Sequence, residues 1–328
     1  MAIGSVQFSF MRILVADKFE KSGLDGLKAL GAEVLSEPDL LDESLSARIR
    51  EVGPEVLVVR STKVTSDMLQ DSSIKLVIRA GAGYNTIDVA SASRNGIGVA
   101  NTPGKNSKAV AELILGLILA IDRRIPDNVQ SLREGYWNKK EFSKAQGLAG
   151  RTLGIIGMGY IGKEVAIRAK AFEMNVVCHS ASLSDEEAVN LGVSKAHSLE
   201  DLASGSDIIS VNWALTPHTK GSLSDAFFGA MKTGAVFINA SRAEVVDQRA
   251  LENAIATKRI WAGLDVFDGE PAGGTAEYGG SLRTNDNVYC THHIGASTEQ
   301  AQEAVAAEVV HIVDQFIKTG KAPNLVNP

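Results

Sequence analysis

The chain has 328 residues, enough for roughly two domains at about 150 residues each. With 45% apolar and 22% charged residues, 31 Gly and 8 Pro, its composition is that of a folded α/β protein and excludes a disordered or collagen-like chain. The 33 Lys+Arg against 39 Asp+Glu give a net charge of -6 with no basic stripe to neutralise a phosphate backbone, so nucleic acid is not an expected partner. Cys178 and Cys290 lack any Cys-x-x-Cys spacing, which points to a reducing, cytoplasmic setting without a disulfide framework or a zinc site. The longest apolar stretch, 109–121, is interrupted by Glu112 and is shorter than the about 20 residues a membrane span needs. Residues 1–10 carry no basic segment ahead of an apolar run, so no secretory signal is expected and Met11 is a plausible start of translation.

In chain order, β-branched runs at 13–16, 56–59 and 75–78 read as strands, with an amphipathic helix at 21–30 between the first two. An apolar helix is expected at 108–122, followed by a wetter segment through Tyr136, Trp137, Lys140 and Phe142. A second series of strands follows at 152–156, 175–179, 207–211, 235–239 and 262–266. Strands alternating with helices imply parallel sheets with crossover helices, here two of them. A last helix at 299–318 stops at Gly320, and the sequence does not say which sheet it covers.

The strongest local motif is Gly157-Met-Gly159-Tyr160-Ile161-Gly162, at the end of an apolar strand and opening a helix. Gly157 permits the tight turn, Gly159 lets the backbone approach a pyrophosphate, and Gly162 lets helix and strand pack closely. The helix N-terminus then presents free N–H groups to the phosphates. About twenty residues on, Ser180 stands where an acid would hydrogen-bond an adenosine ribose, and no Arg or Lys replaces it. NAD or NADP therefore both remain open as cofactor.

Three later residues follow strand ends, where ligands collect in open α/β sheets: Arg242, Glu270 and His293. Hydride transfer from a secondary alcohol needs a base for the hydroxyl proton, and a histidine paired with a carboxylate suits it. A guanidinium binds a substrate carboxylate bidentately. A surface cation, a turn residue before Pro271 and a solvent loop are the competing readings, because spacing over 50 residues cannot show proximity. The remaining histidines lack ligand spacing, and no metal site is expected.

Taken together, several motifs resemble the D-isomer-specific 2-hydroxyacid dehydrogenases: Arg79-Ala80-Gly81-Ala82-Gly83 through Asp88, the run 96–106 ending at Asn106, the glycine motif, Asn239-Ala-Ser-Arg242, Leu264-Asp265 with Glu270-Pro271, and His293 through Thr298. They occur in the family's order over essentially the whole chain. The resemblance implies His293 as proton donor or acceptor, Glu270 tuning it and Arg242 holding the substrate. It implies Asp265 near the nicotinamide, the N–H groups of residues 80–83 on the substrate carboxylate, and Asn106 beside them. It also implies two doubly wound parallel-sheet domains, a Rossmann nucleotide-binding domain at 106–296 inserted in a flavodoxin-like substrate-binding domain at 1–105 and 297–328. A cleft would lie between them, and a homodimer would form through residues 108–140.

The segment 60–65 resembles the substrate loop of members that act on a phosphorylated 2-hydroxy acid, although one residue shorter. Arg60, Lys63 and Arg79 would then supply the extra cations. Hydroxypyruvate or glyoxylate is the alternative substrate, and the same fold resembles that of dinucleotide-sensing corepressors, since a fold alone never fixes function. The chain departs from the family at Ser180, at 212–214, at Ala243 after the arginine and at His292 before the histidine. It ends soon after the closing helix, so feedback by serine through a further domain is not expected.

Overall fold

The computed structural model describes residues 10–271 and 275–327; the expected start at Met11 follows nine residues that lie outside them. The chain divides into two compact units, one running up to Asn106 and resuming at Ser297, the other comprising Ser107–Ala296.

In the first unit five parallel strands form one sheet: β1 (Arg12–Val15), β2 (Glu33–Ser36), β3 (Val56–Val59), β4 (Leu76–Arg79) and β5 (Gly98–Asn101), in the order β2-β1-β3-β4-β5. This is the flavodoxin-like order. Its central strands are apolar at nearly every position because both faces are covered. One face packs on Leu45, Ile49, Met68 and Leu69. The other receives the helix Glu299–Thr319, whose Val305, Val309, Ile312 and Val313 meet Ile13, Val15, Val56 and Val58. The closing helix thus belongs to the first sheet. It ends at Gly320, with φ 69, in the left-handed conformation that glycine adopts without a Cβ penalty. The chain then pairs along the edge of β5: the Val326 N–H donates to the Val99 carbonyl (2.8 Å), and Asn327 Oδ1 accepts from the Val99 N–H (2.7 Å).

The second unit carries seven parallel strands: β6 (Thr152–Ile156), β7 (Asn175–His179), β8 (Ser194–Lys195), β9 (Ile208–Val211), β10 (Val236–Asn239), β11 (Trp261–Leu264) and β12 (Val288–Cys290). Their order is β12-β11-β10-β9-β6-β7-β8, so the winding reverses between β6 and β9, as in a Rossmann sheet. The helix Ser107–Arg123 buries Val110, Ile114, Leu117, Ile118 and Ile121 on one face of this sheet. Phe227, Phe228 and Phe237 stack edge to face under the other. The wetter segment expected after it begins with a further helix, Ile125–Arg133, which has no buried residue. No helix among the described residues is long and apolar enough to cross a membrane.

Candidate active site

The glycine turn follows from sterics. Gly157 has φ +90, and a Cβ there would stand 2.8 Å from the Trp213 ring and 2.9 Å from the Asn212 carbonyl oxygen. A Cβ on Gly162 would strike the Gly157 carbonyl oxygen, so the helix Tyr160–Ala171 lies against the turn only because both residues are glycine. Around Gly159 the space is open. The helix starts there without a side-chain cap and without an acid in its first turn, leaving the N–H groups at Tyr160 and Ile161 to meet an anion. The Gly157 N–H donates to the His179 carbonyl (2.9 Å), which sets the turn beside the end of β7, where Ser180 Oγ and Ser182 Oγ are 3.2 Å apart. An open glycine turn, an uncapped helix start and a reversal of winding fit a dinucleotide.

Three neighbouring strands carry the candidate catalytic groups beyond their carboxyl ends: Arg242 follows β10, Glu270 follows β11 and His293 follows β12. His293 Nδ1 and Glu270 Oε2 are 2.6 Å apart, and Glu270 Oε1 accepts from the Phe267 N–H at 2.7 Å. Burial acts to raise the Glu270 carboxyl, but the hydrogen bonds from His293 and Phe267 and the charges of His293 and Arg242 outweigh it, holding the group below its ordinary value. An ionised Glu270 only accepts, which assigns the proton to Nδ1 of His293 and leaves Nε2 for exchange with a substrate. His293 stands at φ 51, left-handed backbone that few non-glycine residues occupy. Burial lowers the Arg242 guanidinium, opposed by the charges of Glu244 and Glu270.

Sequence reasoning missed what holds these groups. Asn239 Oδ1 accepts from the Ser241 N–H (3.0 Å) and hydroxyl (2.8 Å), and its Nδ2 donates to the Arg242 carbonyl (2.9 Å), fixing the turn that carries the guanidinium. Asp265 is engaged by three donors of the segment 291–295. In the first unit, Asp17 gathers the N–H groups of Arg60 (2.6 Å), Ser61 (3.2 Å) and Thr62 (3.1 Å) and so shapes the 60–62 loop. The available signal was a polar residue at or just beyond the end of an apolar parallel strand.

The expected substrate-binding residues lie in the first unit, at the ends of adjacent strands. Val59 and Arg79 are paired across β3 and β4, which places Arg60 beside the segment 79–83. The Arg79 side chain occupies the space a Cβ on Gly81 would need. Ala80 and Gly81 already donate to the Val59 (2.7 Å) and Arg79 (2.8 Å) carbonyls, so the expectation that all four N–H groups of 80–83 meet a ligand narrows to Ala82 and Gly83. Neither Arg60 nor Lys63 is ion-paired with another described residue, and the shielded Oδ1 of Asn106 has no hydrogen-bond partner among them.

A parallel sheet with reversed winding, a glycine turn and a histidine–carboxylate pair at the strand ends define a dehydrogenase-type nucleotide domain. Residues 115–295 match the family described as D-isomer specific 2-hydroxyacid dehydrogenase, NAD binding domain. The chain belongs to the D-isomer-specific 2-hydroxyacid dehydrogenase family. A hydroxypyruvate reductase of Thermotoga maritima is 39% identical over 302 residues, 91% of this chain and 96% of that protein. A D-3-phosphoglycerate dehydrogenase of Methanocaldococcus jannaschii is 38% identical over 320 residues, 97% of this chain and 59% of that protein. The chain thus spans little more than half the length of the curated phosphoglycerate dehydrogenases of Methanocaldococcus jannaschii, Archaeoglobus fulgidus and Rattus norvegicus. Among solved structures, a glyoxylate reductase from Paecilomyes thermophila superposes with a TM-score of 0.86 at 26% identity, covering 97% of this chain and 98% of that one.

Proposed function

We propose that this protein is a nicotinamide-dinucleotide-dependent dehydrogenase that oxidises 3-phosphoglycerate to 3-phosphohydroxypyruvate, the step that opens serine synthesis. The observation that carries the reading is the 2.6 Å His293–Glu270 pair in the nucleotide-binding unit. His293 Nε2 takes the proton of the substrate C2 hydroxyl as the C2–H bond is broken, and Glu270 stabilises the imidazolium that forms. Gly157, Gly159, Tyr160, Ile161, Gly162 and Asp265 would hold the dinucleotide, which when bound would supply the hydride acceptor. Arg242 holds the substrate carboxylate and withdraws charge as C2 becomes a carbonyl. In the opposite direction His293 returns the proton.

Arg60, Lys63 and Arg79, with the N–H groups of Ala82 and Gly83 and the amide of Asn106, form the proposed substrate set of the first unit, and the two basic residues without an ion pair suit a phosphate. Ser180 offers no carboxylate to repel a 2′-phosphate, so NADP is admitted beside NAD. The near full-length match to a hydroxypyruvate reductase favours a second reading, reduction of hydroxypyruvate or glyoxylate. We also propose a homodimer through residues 108–140: the helix Ile125–Arg133 and the turn after it expose Ile125, Val129, Leu132, Tyr136 and Trp137, the last at 82%, as one apolar stripe.

The test is oxidation of NADH and of NADPH, in parallel, with 3-phosphohydroxypyruvate, hydroxypyruvate and glyoxylate. The phosphorylated acceptor is expected to be preferred, and Arg60→Ala to raise its KM about tenfold or more while sparing the other two. Equal loss on all three supports the reductase. Silence on every acceptor removes both readings and leaves a dinucleotide-sensing protein without turnover.

A further inference from the structure

Asp265 sits one residue beyond β11 and is 1% exposed. Its Oδ1 accepts from the Thr291 hydroxyl (2.7 Å) and the Ile294 N–H (2.9 Å), and its Oδ2 accepts from the Gly295 N–H (2.8 Å). These donors lie on both sides of His293. The Asp265 N–H in turn donates to the Asn239 carbonyl at 2.9 Å, so the carboxylate is anchored to the ends of two adjacent strands. A charge this deeply buried requires such donors, and they in turn fix the backbone that supplies them. Between them stands a histidine at φ 51, a conformation retained only where its surroundings over-determine it.

We propose that Asp265 is a positioning residue for proton transfer, holding the segment 291–295 so that His293 keeps its left-handed backbone and its Nδ1 on Glu270. The role is exerted within the protein. The carboxylate has about four lone-pair directions and three are taken, so a contact to the nicotinamide is compatible with it. The inference rests on the dehydrogenase reading for its kinetic consequence only.

Thr291 gives an independent handle, because it touches the carboxylate and lies outside the glycine turn. The experiment compares wild type, Asp265→Asn, Thr291→Val and Thr291→Ser by three readouts: the ring nitrogens of His293 in long-range 1H–15N spectra without added dinucleotide, the Kd for NADH by fluorescence, and kcat at saturating dinucleotide. Asp265→Asn and Thr291→Val are expected to shift the ring resonances away from the Nδ1–H pattern. Their kcat falls about 100-fold, the scale of a misplaced reacting group, and about 10-fold, the loss of one hydrogen bond to a charged group. Thr291→Ser keeps the hydroxyl and restores most of the loss. Unchanged ring resonances in both variants overturn the proposal, as does a kcat that returns to wild type once dinucleotide is raised. If Asp265→Asn does not fold, the Thr291 pair decides. A wild type inactive on every acceptor sinks the dehydrogenase reading instead, while the ring resonances still judge the positioning role.

Discussion

At the residue scale, Glu270 does two jobs with two oxygens, one on the Phe267 N–H and one on His293. Replacing it with Gln leaves the shape but permits the wrong histidine tautomer, and kcat is expected to fall about 100-fold with little change in dinucleotide affinity. The substitution also has a signature in stability. The folded-state carboxyl lies below its ordinary 4.5, so its contribution is complete above pH 4.5 and is lost as pH falls through the lower folded value. Calorimetry of wild type and Glu270→Gln should therefore show a Tm gap at neutral pH that closes on acidification below 4.5. A gap independent of pH would contradict the assigned hydrogen bonds to an ionised Glu270.

At the element scale, the helix Ile125–Arg133 is held at its start and left bare along its length. Arg124, at φ 48, pairs with Asp127 (2.9 Å) and Glu141 (2.7 Å) and lies 5.2 Å from the centre of the Phe142 ring. The Tyr289 hydroxyl donates to Asp127 at 2.8 Å, tying the helix to β12. Such a scaffold fixes an apolar stripe that its own unit does not cover. Leu132→Ala and Trp137→Ala, each removing about 2 kcal/mol of burial per subunit and so about 4 kcal/mol per dimer if the stripe is covered by a second copy, are expected to weaken the dimer about 1,000-fold apiece in sedimentation experiments. A wild type that sediments as a monomer would refute this interface. The same helix shows how part of the fold was passed over: Ile125, Val129 and Leu132 stand at helical spacing, but they lie among polar residues and face no core within their own unit. The strands β2, β5, β8 and β12 escaped for a related reason, since each lies at a sheet edge, whereas β3 and β6, buried on both faces, were plain from their apolar runs. Glu270 and His293 were recognisable as residue types, but their contact depends on two strands crossing over into register, which no local spacing encodes.

At the scale of the whole molecule, the chain leaves the first unit after Asn106 and re-enters it at Ser297. The helix Glu299–Thr319, together with Leu27 of the helix Lys21–Ala29, covers one face of the first sheet's core, and the residues after it cover the edge of β5. During synthesis, therefore, the segment up to Asn106 cannot close its core until residues 299–319 have left the ribosome. The inserted unit, contiguous in sequence, can complete itself in the meantime. A chain ended at Ala296 should show protease resistance for 107–296 and rapid cleavage before 106, and adding residues 297–327 as a separate peptide should restore protection in part. The order of birth and the order of folding run in opposite directions here, which makes the waiting amino-terminal segment the natural client of whatever holds nascent chains open.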